Sequence, residues 1–369
     1  MRHVILGNGP AGVVAAEALR KHSPADTVTL VGDEPGPPYS RMAIPYLLMG
    51  DIDEKGTWLR KEPGHFERLG IALKEGRAAA VDAAKREVRL ESGEVLAWDR
   101  LLVATGSHPN RPPIPGIDLP GVHPCWTLAD ARAIAARVRK GSRVVQMGAG
   151  FIGCIILEAL ASRGVELVVV EMGDRMVPRM MPPRASEMIR AWCEREGVHV
   201  VTGARVAAIE QAGPALSVKL TDGQAWAADL VISATGVTPN TAFLDGSGVA
   251  CDGGVLVDER MESSVKGIFA AGDVSRAPEF DTDRKIAYAI QPTAVEQARV
   301  AALNMAGREA TSPGALAMNV LDTLGLVSVS FGQWHGVPHA QGGSWVEEMD
   351  RERFRYLRLE FRDDRLIGA

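Results

Sequence analysis

The chain has 369 residues, with 41 Lys and Arg against 46 Asp and Glu, a formal charge of −5 and 46% hydrophobic residues. That length carries two or three domains and a substantial core. The mildly acidic balance leaves no basic footprint for nucleic acid, and the apolar runs at 144–147 and 165–170 are too short to span a bilayer. No signal peptide is expected, because residue 3 already begins a strand and Asn8-Gly9-Pro10 interrupts any apolar signal core. Cys125, Cys154, Cys193 and Cys251 lie far apart with no Cys-x-x-Cys pair, which fits free thiols and a cytoplasmic location. The eight histidines are scattered, and none shows the close spacing of a metal site.

The first element is an apolar strand, His3 to Leu6, followed by Gly7-Asn8-Gly9-Pro10-Ala11-Gly12 and an apolar-periodic helix. In this context the first glycine permits a tight strand-to-helix turn. The second lets backbone approach a pyrophosphate, and the third lets the helix pack close to the sheet, with its N-terminal amides facing the anion. A second strand, Thr27 to Val31, leads to Asp33 and Glu34. These lie about 20 residues past the third glycine, where a carboxylate accepts from a ribose 2′-OH. Residues 36–65 read as irregular, with a stiff Pro35-Gly36-Pro37-Pro38 loop entering Tyr39-Ser40-Arg41. Strand patterns follow at Ala78 to Val81 and Glu87 to Leu90, with a turn at Ser92-Gly93, and Leu101-Leu102-Val103 runs into Ala104-Thr105-Gly106.

Five prolines between Pro109 and Pro120 mark a linker. The opening plan then repeats. Arg143 to Met147 precedes Gly148-Ala149-Gly150-Phe151-Ile152-Gly153 and a helix, and Glu166 to Val170 ends in Glu171. Glu171 favours NAD over NADP, since a carboxylate repels a 2′-phosphate. This half closes with Leu230-Val231-Ile232 and Ala234-Thr235-Gly236. Two such units predict an α/β protein with two Rossmann-like domains and two dinucleotides bound at once, the arrangement of an enzyme that passes electrons between cofactors. Beyond residue 241 come a strand ending in Gly272-Asp273, a helix from Gln291-Pro292-Thr293 to about Met305, and β patterns at Val327 to Phe331 and Phe354 to Phe361. Leu366-Ile367-Gly368-Ala369 reads as half of an unfinished hairpin.

These motifs together resemble the FAD-dependent pyridine nucleotide oxidoreductases, in the branch of rubredoxin reductase, NADH oxidase and the flavin region of NADH-dependent nitrite reductase. The resemblance rests on GNGPAG at 7–12, LLVATGS at 101–107, GAGFIG at 148–153, ATGVTPN at 234–240, IFAAGD at 268–273 and AVEQARVAALNMAG at 294–307. It implies a discontinuous FAD-binding domain, 1–115 and 241–310, an NAD-binding domain, 116–240, and a partial α+β interface domain, 311–369, that completes a homodimer. If that last domain is incomplete, dimerisation is weakened.

By the same resemblance FAD is held by Gly7, Gly9, Pro10, Ala11, Gly12, Asp33, Glu34, Arg41, Ala79, Thr105, Gly106, Gly272, Asp273, Gln291 and Thr293. NAD is held by Gly148, Gly150, Phe151, Ile152, Gly153, Glu171 and Gly236. Arg41 would neutralise phosphate, Asp273 would accept from a ribityl hydroxyl, and the helix from Pro292 would aim its positive end at the flavin pyrimidine. Two positions depart from the family. Met42 stands where thiol-using relatives have a redox cysteine, three residues before Pro45-Tyr46, which argues against disulfide or sulfenic acid chemistry. Ile155 stands where many relatives carry a glutamate near the nicotinamide.

The function expected is transfer of electrons from NADH through FAD to rubredoxin, ferredoxin or an iron–sulfur or sirohaem module. The alternatives are direct reduction of dioxygen and a non-catalytic flavoprotein sensor or scaffold.

Overall fold

The computed structural model describes all 369 residues, which divide into two compact units. The first is built from Met1–Ala43, Asp53–His108 and Thr238–Leu316; the second from Ile44–Ile52, Pro109–Val237 and Ala317–Ala369.

The first unit centres on a five-stranded parallel sheet in the order Ile268–Ala270, Arg100–Val103, Arg2–Leu6, Thr27–Gly32, Ile71–Glu75. Val4 pairs with Thr29 on one side and Leu101 on the other. Helices Pro10–His22 and Gln291–Met305 pack on one another. Because the central strands are covered on both faces they read as unbroken apolar runs, and Leu101, Leu102 and Val103 are fully buried. A three-stranded antiparallel ribbon, Ala78–Asp82, Glu87–Leu90 and Val95–Ala97, follows the fifth strand, and its register slips at Ala79.

The second unit repeats the plan. Its parallel sheet runs His199–Thr202, Glu166–Glu171, Arg143–Met147, Leu230–Ser233, Val122–His123. Its ribbon is Val206–Ala212, Ala215–Leu220 and Ala225–Ala228. The proline-rich segment is held against this ribbon: the Ile209 N–H donates to Pro115 O, and Ile114, Ile117 and Leu119 pack on the same core.

Three features differ from the sequence reading. Residues 36–65 contain short helical turns at Arg41–Ala43, Ile44–Met49 and Glu54–Thr57, too brief for periodicity to register. The edge strands Ile71–Glu75 and His199–Thr202 were also missed; each has solvent on much of its surface and so lacks a continuous apolar signature. Finally, the hairpin near the last residues is formed. Arg365–Gly368 pairs with Arg355–Arg362, which pairs in turn with Gly343–Asp350.

The C-terminal sheets expose several apolar side chains and cover two carboxylates. In Gly343–Asp350 and Arg355–Arg362 Glu360 is buried and Glu347 half-buried, while Glu348 and Arg355 are exposed. Tyr356 Oη donates to Glu347 at 2.6 Å, and Arg358 Nε donates to Glu360 at 2.5 Å. The apolar Val346 and Leu357 are 62% and 51% exposed. The hairpin Met318–Thr323 with Leu326–Phe331 buries Leu321 together with Thr323 and Ser330, and exposes Met318, Val320, Val327 and Val329.

Candidate functional site

Each glycine loop is shaped by contacts a side chain would break. Gly7 has φ +105° and Gly148 φ +99°, backbone that disfavours any side chain. A Cβ at Gly12 would sit 1.8 Å from Gly7 O, and one at Gly153 2.5 Å from Gly148 O. Gly9 and Gly150 are different. A Cβ at either would meet nothing within 4 Å, so each loop leaves an open cradle at its middle glycine.

The helices that start there, Pro10–His22 and Phe151–Ala161, have no side-chain cap and no acid in the first turn. The helix Gln291–Met305 is also uncapped. By contrast Leu128–Arg137 is closed by a full capping box from Thr127 and Asp130. Open amides at a helix start, beside a cradle, are the donor set for a pyrophosphate. The residues fit two dinucleotides.

In the first unit hydrogen bonds bring Glu34, Arg41 and Asp273 together through Ser107, while Asp33 and Ala79 lie apart from them. Asp273 is half-buried and accepts from Ser107 Oγ at 3.2 Å. Burial pushes its carboxyl up, while the Ser107 bond and the Arg41 charge pull it back. Arg41 donates to Glu34 Oε1 at 2.8 Å and to Ser107 O at 3.2 Å. Tyr39 Oη donates to the other Glu34 oxygen at 2.6 Å. Glu34 is thus the counter-ion of Arg41, and Asp33 beside it is half-exposed, near Arg77 at 3.9 Å. Gln291 Oε1 accepts from Ser40 Oγ at 2.7 Å, and Thr293 is buried in the first helical turn. Ala79 sits at the register slip of the ribbon, outside the regular ladder.

In the second unit Glu171 accepts from Ala149 N–H and Gly173 N–H, both at 2.7 Å, which ties the end of its strand to the glycine loop. Phe151, Ile152 and Ile155 are half-buried on the helix that follows.

Three further residues were missed from sequence. Gln146 is fully buried in an otherwise apolar strand, and its Nε2 donates to Gly148 O at 2.9 Å and Gly153 O at 2.8 Å. One polar residue within Val144-Val145-Gln146-Met147 was the available signal. Asn110 and Asn240 act alike: Asn240 N–H donates to Gly106 O and Asn110 N–H to Gly236 O, both at 2.9 Å. Asn240 also exchanges bonds with Thr105. The signal was the shared spacing Ala-Thr-Gly-x-x-Pro-Asn at 104–110 and 234–240.

The thiols are not poised for chemistry. Cys125, Cys154 and Cys193 are buried, and desolvation raises all three, Cys125 and Cys193 to about 12. Met42 is largely exposed. No group of three or more His, Cys, Asp and Glu is placed to hold a metal ion, and no helix is long and apolar enough to cross a membrane.

Two dinucleotide cradles on two parallel-sheet units define a two-cofactor oxidoreductase. Residues 1–302 match the family of pyridine nucleotide-disulphide oxidoreductases, and the chain belongs to it. It is 32% identical over 366 residues to the NADH-dependent phenylglyoxylate dehydrogenase subunit epsilon of Aromatoleum evansii, covering 98% of this chain and 86% of that one. It is 35% identical over 276 residues to the ferredoxin–NAD(+) reductase component of the biphenyl dioxygenase system of Paraburkholderia xenovorans, covering 74% and 67%. The putidaredoxin reductase in its covalent complex with putidaredoxin superposes with a TM-score of 0.91 at 25% identity, covering 100% of this chain and 88% of that one. The chain is a FAD-dependent NAD(P)H oxidoreductase.

Proposed function

We propose that this chain oxidises NADH and delivers the electrons singly to a small iron–sulfur protein or subunit. The observation that carries the reading is the pair of open cradles at Gly9 and Gly150, in a chain whose Cys125, Cys154 and Cys193 are buried and held protonated. When bound, FAD supplies the step from a two-electron donor to one-electron carriers. With Met42 in place of the redox cysteine, the electrons leave without a protein disulfide. The ferredoxin reductases among its relatives support an iron–sulfur acceptor.

In this reading residues 1–115 and 241–310 hold FAD, and 116–240 hold NADH. Gly7, Gly9 and Gly12 with the amides of Ala11 and Gly12 take the FAD pyrophosphate. Asp33 takes the ribose, because Glu34 is committed to Tyr39 and Arg41. Arg41 neutralises phosphate, Asp273 accepts from the flavin side chain, and the Gln291 helix directs its amides at the ring. Gly148, Gly150 and Gly153 take the NADH pyrophosphate, and Glu171, each of whose oxygens keeps a lone pair beyond its backbone bond, takes the 2′-OH.

Residues 311–369 form the interface of a homodimer. The exposed apolar side chains of its sheets, Val320, Val327, Val329, Val346 and Leu357 among them, support this, since a cluster of exposed apolar residues is one that a partner covers. The reduced thiols and the absence of a spanning helix accord with a cytoplasmic enzyme.

The test is anaerobic NADH oxidation with a panel of ferredoxin, rubredoxin and sirohaem-type acceptors, repeated in air without acceptor. NADH-dependent reduction of an iron–sulfur acceptor, faster than oxygen consumption, is expected. Fast NADH consumption by oxygen alone, with every carrier left oxidised, would make the chain an NADH oxidase instead.

A further inference from the structure

The turn Gly272–Ser275 lies where two helix starts meet. A Cβ at Gly272 would stand 3.4 Å from the Cβ of Ala11 and 3.4 Å from the Cβ of Ala294. The first turns of helices Pro10–His22 and Gln291–Met305 therefore close on one backbone position. That position has φ +80° and is followed directly by Asp273. A turn in so narrow a gap has to be held, because its buried amide has no water to bond to.

The holding group is Gln297, 4% exposed on helix Gln291–Met305. Its Oε1 accepts the Gly272 N–H at 2.9 Å and lies 3.0 Å from Ser275 Oγ. The Ser275 hydroxyl is also 2.9 Å from Gly272 O, so its one proton is shared between the two acceptors. The Ser275 N–H closes the turn onto Gly272 O at 2.8 Å. Gln297 thus joins the turn that presents Asp273 to the helix that presents Gln291 and Thr293, between one and two turns along from their amides.

We propose that Gln297 is a positioning residue for the flavin end of the cofactor. It fixes Asp273 relative to the N-terminal turn of helix Gln291–Met305, so that carboxylate and helix amides address one bound group together. The inference rests on the reading of the first unit as the FAD site. It adds that the precision of that site depends on a buried amide which touches no cofactor. Preorganised donors retain their strength only while their supports hold them.

The test compares wild-type, Gln297→Leu and Gln297→Glu proteins. Three quantities are read: the FAD dissociation constant by flavin fluorescence, the midpoint potential of the bound flavin, and the melting temperature of the FAD-free chain. Gln297→Leu should raise the dissociation constant at least tenfold and move the midpoint potential. Gln297→Glu, which keeps an acceptor oxygen at the same reach, should recover most of both. A leucine variant with a lower melting temperature but a wild-type midpoint potential and a dissociation constant within twofold would overturn the proposal. If Gln297→Leu does not fold, Ser275→Ala loosens the same turn from its other side and should raise the dissociation constant about threefold; an unchanged value overturns the proposal equally. A wild-type chain that binds no FAD overturns the FAD assignment itself, and this inference with it.

Discussion

Replacing Gly9 by alanine separates cofactor binding from folding. Gly9 has φ −72° and ψ −172°, backbone that alanine adopts, and its added methyl meets nothing within 4 Å. Alanine restricts the unfolded chain, a gain of about 0.4–1 kcal/mol, and is a poorer helix N-cap than glycine by roughly 0.5 kcal/mol. The two nearly cancel, so the FAD-free variant should melt within about 2 °C of wild type. The methyl would nevertheless stand where a pyrophosphate must touch backbone. The FAD dissociation constant should rise on the order of 10- to 100-fold, about 1.4–2.7 kcal/mol. Gly12→Ala is the control, because its Cβ lies 1.8 Å from the Gly7 carbonyl oxygen and the helix must move. It should lower the melting temperature of the FAD-free chain, at a cost of roughly 1–3 kcal/mol. Thermal melts of the FAD-free proteins and fluorescence titrations with FAD measure both effects. A Gly9→Ala protein that binds FAD within twofold of wild type, or that melts as low as Gly12→Ala, would refute the cradle argument.

Gly150→Ala should raise the KM for NADH at least tenfold with FAD content unchanged, by the same geometry in the second unit; loss of FAD instead would mean the cradles are assigned the wrong way round. Glu171→Gln keeps acceptor capacity but removes the charge, so discrimination against NADPH should fall several-fold in kcat/KM; an unaltered NADH preference would remove Glu171 from the ribose site. Asp273→Asn should stabilise the FAD-free chain near pH 7 while weakening FAD retention. The folded carboxyl titrates above its ordinary value of 3.8 because burial penalises its charge. Its ionised form therefore destabilises the fold as pH rises past 3.8, and the gain from asparagine should vanish at lower pH, where both forms are neutral. An FAD-free melting temperature that is unchanged or lower at pH 7 would contradict that sign. Iodoacetamide on the folded protein should modify Cys251 alone and leave NADH-dependent electron transfer intact, since the other thiols are buried with raised pKa values; inactivation in step with alkylation would restore a thiol to the mechanism.

Much of this was legible in sequence because it is local. Strand, glycines, helix and terminal acid fall within about 30 residues, so both cradles, the inner strands of both parallel sheets and the Gln291 helix could be placed directly. What escaped depends on which side chains and backbone groups the fold brings into contact. Gln297 lies within the motif at 294–307, yet its role is visible only when Gly272, 25 residues earlier, is brought to its Oε1. Glu34 and Asp33 were equivalent as acids after a strand, and only the Tyr39 and Arg41 bonds distinguish them. The edge strands and the final hairpin lacked the apolar alternation of a half-buried sheet. The C-terminal sheet mixes it, with Glu360 inside and Val346 outside beside Glu348 and Arg355.

The most direct test of the account is an anaerobic titration of the FAD-loaded chain with NADH, followed by addition of an oxidised ferredoxin-type acceptor. Equimolar NADH should bleach the flavin absorbance, and two equivalents of acceptor, each reduced by one electron, should restore it. A flavin that stays oxidised in excess NADH would contradict the claim that the two cradles serve one electron path.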